Sequence, residues 1–224
     1  LTAAGYFVSV EGIDGSGKST QVAALAASLR ANGRDAVSVS PHDTQLGEMV
    51  RRFVLEHSTA PAPDAWAEAL LFFAGRAQLL RERILPALDR GAVVVADRFT
   101  DSTLAYQGGG RGLPREELLR LHDVVCGGVW PDLTVYLDVP VSVAMSRRRG
   151  QQLPLDRIEV APDAFHAAVR DAYEDLARRY PGRIVRVDAT RPQLAVSAEV
   201  VHLVERRMVD AGPRDRATVR APAG

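Results

Sequence analysis

The chain has 224 residues, 46% of them hydrophobic and 25% charged, and its 28 Lys plus Arg are balanced by 28 Asp plus Glu. That length and apolar share suffice for one globular domain with a full core, while a formal net charge of zero gives no electrostatic footprint for nucleic acid or an anionic membrane, so a small-molecule partner is expected. The lone Cys126 excludes an internal disulfide and a cysteine-based zinc site, fits a reducing compartment and reads as a small buried hydrophobe.

Residues 1–5 carry neither the basic start nor the apolar core of a signal peptide, and no apolar run approaches the roughly 18–20 residues of a membrane helix. A cytoplasmic protein without a membrane partner is expected. The first element is a strand, the β-branched apolar run Tyr6-Phe7-Val8-Ser9-Val10. It leads into Gly12-Ile13-Asp14-Gly15-Ser16-Gly17-Lys18-Ser19, which fits the G-x-x-x-x-G-K-[ST] pattern, and then into an amphipathic helix opening at Thr20-Gln21-Val22. Strand, glycine-rich turn and helix are the context in which that pattern binds a nucleoside triphosphate. Backbone N–H groups from Gly12 to Thr20 converge on phosphate oxygens, Lys18 reaches the outer phosphates, and Ser19 offers its hydroxyl to Mg²⁺. Lys18 is the only lysine in the chain, the other 27 basic residues being arginine. A compact ammonium fits inside such a loop where a planar guanidinium does not.

Gly33 ends the helix, and Ala36-Val37-Ser38-Val39 reads as a second strand followed by the turn Ser40-Pro41-His42-Asp43-Thr44. A short helix is expected over 46–55 and a Pro-rich loop over 58–63. A long helix is expected over 64–90 with Trp66, Leu70, Phe73, Ala77, Leu80 and Ile84 as its core stripe, and Pro86 would kink its end. Gly91 stops it. The run Ala92-Val93-Val94-Val95-Ala96 has the continuous apolar character of a strand buried on both faces, and it ends in Asp97-Arg98. Two more strands follow at 133–137 and 183–187, each leading into a helical pattern. Five strands alternating with helices predict a three-layer α/β fold: a five-stranded parallel sheet, helices on both faces, and ligands at the carboxyl ends of the strands. One domain is expected over 1–211, and the Gly-, Pro-, Ala- and Arg-rich tail over 212–224 is expected to be disordered.

A phosphate loop alone serves switches, motors and kinases. Reading guanine through Asn-Lys-x-Asp is impossible here, since Asn32 is the one asparagine and no lysine lies outside the loop. A motor would need transmission domains that the length does not accommodate, so a small phosphotransferase remains. Asp97 stands where a carboxylate can orient Mg²⁺ beside Ser19, and Arg98 can reach a transferring phosphoryl group; a plain surface pair is the alternative. The stretch Ser102 to Gly112 adds hydroxyls, an aromatic, an amide and mobile glycines. The arginine-dense Ser146-Arg147-Arg148-Arg149-Gly150, continuing to Glu159, reads as a short lid over 147–159 that brings guanidinium groups to polyphosphate and excludes water, the alternative being a solvated basic helix end.

Taken together these residues resemble the thymidylate kinases, which pass the γ-phosphate of ATP to dTMP. The likeness spans nearly the whole chain: Glu11 through Thr20, Leu71-Phe72-Phe73-Ala74-Gly75-Arg76, Asp97-Arg98-Phe99, Ser102 to Gly112, Pro131 to Asp138, and Leu155-Asp156-Arg157-Ile158-Glu159. The resemblance implies that Phe72 stacks on thymine, that Arg76 donates to its O4 carbonyl, and that Arg98 contacts the acceptor phosphate. It further implies that Tyr106 and Gln107, with Ser102, Thr103 and Pro41, close the nucleoside pocket, that Asp14 holds the sugar hydroxyl or the acceptor side, and that the donor ATP binds with Mg²⁺. Phe72 and Arg76 are four apart and share a helix face, turned about 100° from Phe73, although Phe72 by itself is equally consistent with a core position.

Members of that family carry the assisting arginine either in the phosphate loop or in the lid. With Ser16 in the loop, the chain resembles the lid-arginine type, and Arg149 and Arg157 are the expected catalytic pair alongside Lys18, Arg98 and Asp14, with Arg147 and Arg148 in reserve. One stretch departs from the family: Val39-Ser40-Pro41-His42-Asp43-Thr44 lacks the usual arginines and places Asp43 near the acceptor phosphate. That departure leaves open a modified pyrimidine deoxynucleotide or another small acceptor; a regulatory ATP-binding protein without catalysis is the alternative of another class. The resemblance also implies a homodimer, for which Leu118, Leu121, Val124 and Val125 are either interface or core.

Overall fold

Five strands form one parallel sheet among the described residues, which are 5–56, 61–151 and 154–211 of this computed structural model. In chain order they are β1 (Tyr6–Glu11), β2 (Ala36–Val39), β3 (Val93–Asp97), β4 (Leu133–Asp138) and β5 (Ile184–Asp188). Their spatial order is β2-β3-β1-β4-β5, with every neighbouring pair parallel. Residues 1–4, 58–60 of the expected loop, 152–153 of the expected lid and the tail over 212–224 lie outside the described residues.

The helices are α1 (Lys18–Ala31), α2 (Gln45–Leu55), α3 (Ala65–Leu79), α4 (Leu85–Asp89), α5 (Thr100–Thr103), α6 (Arg115–Cys126), α7 (Val141–Gly150), α8 (Asp163–Arg179) and α9 (Gln193–Ala211). Alternation along the strands sends side chains to two layers. Val8, Val10, Val93 and Val95 pack with Val22, Leu25 and Leu29 of α1. Phe7, Val94 and Ala96 face the other way, onto Leu79, Leu80, Ile84, Leu88 and Cys126. The central strands are therefore buried on both sides, as their unbroken apolar runs require. The chain passes from β3 on one side of β1 to β4 on the other, so a crevice opens at the carboxyl end of β1.

Two departures from the sequence reading bear on the site. The helix expected over 64–90 begins as expected, with the Asp64 carboxylate accepting from the N–H groups of Trp66 and Ala67 at 2.8 and 3.1 Å. It then widens into a π-helical turn over Leu80–Ile84 before α4, which carries Pro86 in its first turn. Pro86 offers no N–H and its ring crowds the carbonyl four residues back, so the ladder shifts to a wider turn ahead of it. The expected stripe is also rotated at its start: Trp66 and Leu70 are exposed while Glu68 and Ala69 are buried. Glu68 turns inward because Gln107 and Arg111 donate to its carboxylate at 2.9 and 3.0 Å. At about 100° per residue that places positions 66 and 70 on the opposite side of the helix. With Leu46, Met49 and Phe53 of the adjoining α2 they form an exposed apolar surface.

The second departure concerns Gly108, Gly109 and Gly110, expected to be mobile. They form the end of a π-helical segment, Leu104–Gly110, packed against α8. A Cβ on Gly109 would come within 2.4 Å of the Ala172 Cβ, and one on Gly110 within 2.5 Å of the Phe165 ring. These glycines permit close approach of two helices rather than motion. Of the candidate interface residues, Leu118 is core and Val124 is exposed.

Candidate active site

The phosphate loop joins β1 to α1 at the mouth of the crevice. Gly15 has φ +82°, and a Cβ there would lie 2.1 Å from the Ala144 carbonyl oxygen of α7, so both conformation and space demand glycine. Lys18 is buried, and its ammonium donates to the Ile13 carbonyl at 2.9 Å and lies 3.7 Å from the Asp14 carboxylate, folded back across the loop. Burial and the facing Arg98 cation pull its pKa down to about 8, against the pull of Asp14, Asp97 and Glu11. The Ser16 hydroxyl is buried without a partner among the described residues. Ser19 donates to Asp97 at 2.6 Å. A hydroxyl and a carboxylate meeting beside a phosphate loop fit Mg²⁺, which takes one or two protein oxygens and completes its shell with phosphate and water.

Arg98 follows Asp97 at the end of β3 and is the one non-glycine residue with positive φ among the described residues, at +73°. Its Nη1 donates to the Gly12 carbonyl at 3.0 Å and the Ser102 hydroxyl at 3.1 Å, and lies 3.3 Å from the Tyr173 hydroxyl. Its Nη2 donates to Asp14 and, at 3.0 Å, to Tyr106, whose ring lies under the guanidinium. Tyr106 in turn donates to Asp14 at 2.8 Å. Burial works to raise the Asp14 carboxyl, but Arg98, Lys18 and the Tyr106 hydroxyl outweigh it and hold the group well below the usual carboxylate range. Asp14 keeps 23% side-chain exposure at the cleft wall, so solvent moderates that pull. Burial pushes the Tyr106 hydroxyl well up, so it stays a donor.

From this cluster a cleft of about 350 Å³ runs to a slot between α2, α3 and the Leu104–Gly110 segment. Phe72 and Arg76 line it from one face of α3 while Phe73, next to them, is core, as their spacing implies. Arg76 donates through Nη2 to the Phe99 carbonyl at 3.2 Å and to Thr103 at 2.7 Å. Its Nη1 is buried with no partner among the described residues, although the guanidinium lies within 4.9 Å of the Phe73 ring centre. Burial lowers its pKa. Arg76 lines the slot, but Nη1 itself is closed off from it, so this unsatisfied donor meets a ligand acceptor only if the side chain turns. Gln107 is held by Glu68, and Pro41, Ser102 and Thr103 complete the wall.

Asp43 is not among the residues lining the slot, although its neighbours Pro41 and His42 are. Its carboxylate accepts from the Ser40 N–H at 2.9 Å and the Ser40 hydroxyl at 2.6 Å, closing its own turn. Thr44 caps α2 by accepting from the Gly47 N–H at 3.0 Å. Arg51, one turn further along α2, lines the cleft and supplies positive charge that the turn lacks.

The lid residues divide. Arg148 lines the cleft, pairs with the Glu159 carboxylate through Nε and Nη2, and donates to the Pro154 carbonyl at 2.8 Å. Arg147 points away, donating to the Ala189 carbonyl at 2.8 Å. Arg149 is exposed and lines a separate depression with Met145, Leu155 and Asp163. Arg157 donates through its backbone N–H to the Leu55 carbonyl at 2.9 Å, tying the lid to α2. Neither Arg149 nor Arg157 is among the residues lining the cleft, whereas Arg148, held in reserve by the sequence reading, is.

Sequence reasoning quoted Glu11 only within a motif and passed over Tyr173, Arg51 and Glu68. Glu11 carried a usable signal, an acid closing an otherwise apolar strand that must find partners once buried. Tyr173 carried none, since on an amphipathic helix it reads as core.

Among known proteins, a family model described as thymidylate kinase matches residues 10–200. The chain is 46% identical over 196 residues to the thymidylate kinase of Thermomicrobium roseum, covering 87% of this chain and 92% of that one. It is likewise 46% identical over 193 residues to that of Alkalilimnicola ehrlichii, with 86% and 88% covered, and 46% identical over 202 residues to that of Nitrosomonas europaea, with 90% and 93% covered.

Proposed function

The chain belongs to the thymidylate kinase family, and on that premise we propose that it transfers the γ-phosphoryl group of ATP to dTMP, giving ADP and dTDP. The observation that carries this reading is that one cleft holds the phosphate loop at one end and the Phe72–Arg76 slot at the other, with Arg98 between them. An oxygen of the acceptor phosphate forms the new bond to the γ-phosphorus as the bond to the β-bridging oxygen breaks, its electron pair leaving on ADP. A phosphate monoester is already a competent nucleophile, so the protein supplies alignment and charge placement rather than a strong base.

The loop from Gly12 to Thr20 holds the donor phosphates, with Lys18 on the outer ones. Ser19 and Asp97 would hold Mg²⁺, directly or through water, and the ion would supply positive charge to the donor phosphates. Arg98 grips the acceptor phosphate, and Asp14 fixes Arg98 and Tyr106. Phe72 stacks on the base and the free Arg76 Nη1 donates to O4, with Gln107, Thr103, Ser102 and Pro41 closing around the nucleoside. We assign the lid contribution to Arg148 rather than to Arg149 or Arg157, because Arg148 faces the cleft. Equal release of ADP and dTDP from purified protein with ATP, Mg²⁺ and dTMP tests the reading; turnover of no pyrimidine monophosphate overturns it.

A homodimer is part of the same proposal. The apolar surface of Leu46, Met49, Phe53, Trp66 and Leu70 supports it, since large exposed side chains clustered on two packed helices mark an interface. Light scattering that returns a monomer mass of 24.2 kDa at working concentration removes this part alone. Two water-soluble nucleotide substrates favour the cytoplasm as the compartment. Among the described residues no helix is long and apolar enough to cross a membrane.

A further inference from the structure

Glu11 closes β1 fully buried, and no step above uses it. Four donors reach its carboxylate. The Ser9 hydroxyl at 2.7 Å and the Phe99 N–H at 2.6 Å reach Oε1; the Ser102 hydroxyl at 2.5 Å and the Tyr173 hydroxyl at 2.9 Å reach Oε2. Three of these four surround one residue. Phe99 follows Arg98 in the chain, and Ser102 and Tyr173 are the two hydroxyls facing Arg98 Nη1.

The backbone of Arg98 lies in the left-handed region, which strains a non-glycine residue unless its surroundings hold it there. Both flanking N–H groups are held by β1: that of Arg98 donates to the Val10 carbonyl at 3.1 Å, and that of Phe99 to Glu11. The guanidinium is set by the other carboxylate oxygen. The hydroxyls of Ser102 and Tyr173 each have one proton and lie 2.9 Å from each other; drawing both protons to Oε2 leaves their lone pairs for Nη1, whereas a proton shared between the two hydroxyls would occupy one of those lone pairs. The other acid nearby, Asp101, is already satisfied by Arg183 at 2.6 and 2.8 Å and by Thr134 at 2.9 Å, so it cannot take over.

We propose that Glu11 is the positioning residue for Arg98, holding its backbone in the left-handed conformation through Phe99 and aiming its guanidinium through Ser102 and Tyr173. The inference rests on the acceptor-phosphate role proposed above for Arg98. It differs from a packing role in one consequence: the loss of kcat on substituting Glu11 passes through Arg98, whereas any shift of Ser102 in the pocket wall would appear in KM for dTMP.

A double-mutant cycle on the full chain, with ATP, Mg²⁺ and dTMP, tests this. Glu11→Gln keeps the shape but replaces an acceptor by an NH₂ donor. It is expected to lower kcat on the order of 10²-fold, as misplacement of a charge-bearing group by about 1 Å does, with KM for ATP within about twofold of wild type. In the Arg98→Ala background the same substitution is expected to add nothing. Losses that multiply between the two substitutions, or wild-type kcat in Glu11→Gln, overturn the proposal. Should Glu11→Gln fail to fold, Tyr173→Phe removes one hydroxyl and keeps the ring: it is expected to lower kcat by about 3–10-fold, again with no effect in the Arg98→Ala background, and multiplicative losses overturn the proposal equally. Wild-type kcat in Arg98→Ala alone would instead remove the Arg98 reading beneath it, an outcome told apart by that single variant.

Discussion

Arg76→Met separates the slot's cost to the folded protein from its use to the reaction. In the free protein the guanidinium is buried with Nη1 unpaired, which opposes stability by about 1–3 kcal/mol. Against that stand its charge-assisted hydrogen bonds to the Phe99 carbonyl and Thr103, each about 1.5–3 kcal/mol, and its packing over Phe73, about 0.5–1 kcal/mol. The bonds outweigh the unpaired donor, so although methionine keeps most of the volume, the unfolding midpoint in urea is expected to fall by the equivalent of about 1–5 kcal/mol. With the acceptor bound the balance differs. A charge-assisted bond from Nη1 to a carbonyl is worth about 1.5–3 kcal/mol, which at about 1.4 kcal/mol per tenfold predicts a loss of roughly 10–150-fold in kcat/KM for dTMP. KM for ATP should hold, because the loop is untouched. The assay is ADP release at saturating ATP across a dTMP series, beside urea unfolding of the same preparations. A variant that keeps kcat/KM within about threefold of wild type would refute the placing of the base against Arg76.

The packing of the glycine segment predicts that Gly109→Ala costs more than Gly110→Ala, since the first meets the short Ala172 side chain and the Ala168 carbonyl oxygen, neither of which can turn aside, and the second meets only side chains, the Phe165 ring and Val169 Cγ2. About 1–3 kcal/mol is expected for Gly109→Ala, with a raised KM for dTMP as Tyr106 and Gln107 shift, read by urea unfolding and steady-state kinetics. His122 is fully buried, stacked on Trp130, and burial with the nearby Arg76 cation brings its pKa from 6.5 down to about 3. Between those values the unfolded chain binds the extra proton, so stability rises with pH across that window and falls on acidification. The loss is about 2 kcal/mol by pH 5; His122→Gln should remove that slope from unfolding midpoints measured between pH 7 and 5. In the lid, Arg148→Ala should lower kcat by about 10²-fold or more while Arg149→Ala stays within about threefold. The reverse order in single-turnover rates would return the assignment to Arg149.

Local chemistry was enough wherever one segment of chain decides its own conformation. The loop from Gly12 to Ser19 needs only its glycines, Lys18 and its two flanking elements, and the strands needed only their apolar runs. Phe72 and Arg76 could be placed on one face because a helix has a single period. Tertiary structure decided whatever depended on partners distant in sequence. Glu68 reached across to Arg111 and Gln107, and in doing so turned Trp66 and Leu70 outward against their apolar pattern. The close approach of α8 turned a glycine run from apparent hinge into packed helix. The Asp43 carboxylate closed its turn on Ser40, and Glu159 selected Arg148 from three adjacent arginines that the sequence leaves equivalent. Periodicity and motif register what a residue does to its own backbone, whereas a buried charge is placed by whichever group comes to meet it, and only the folded chain brings that group near.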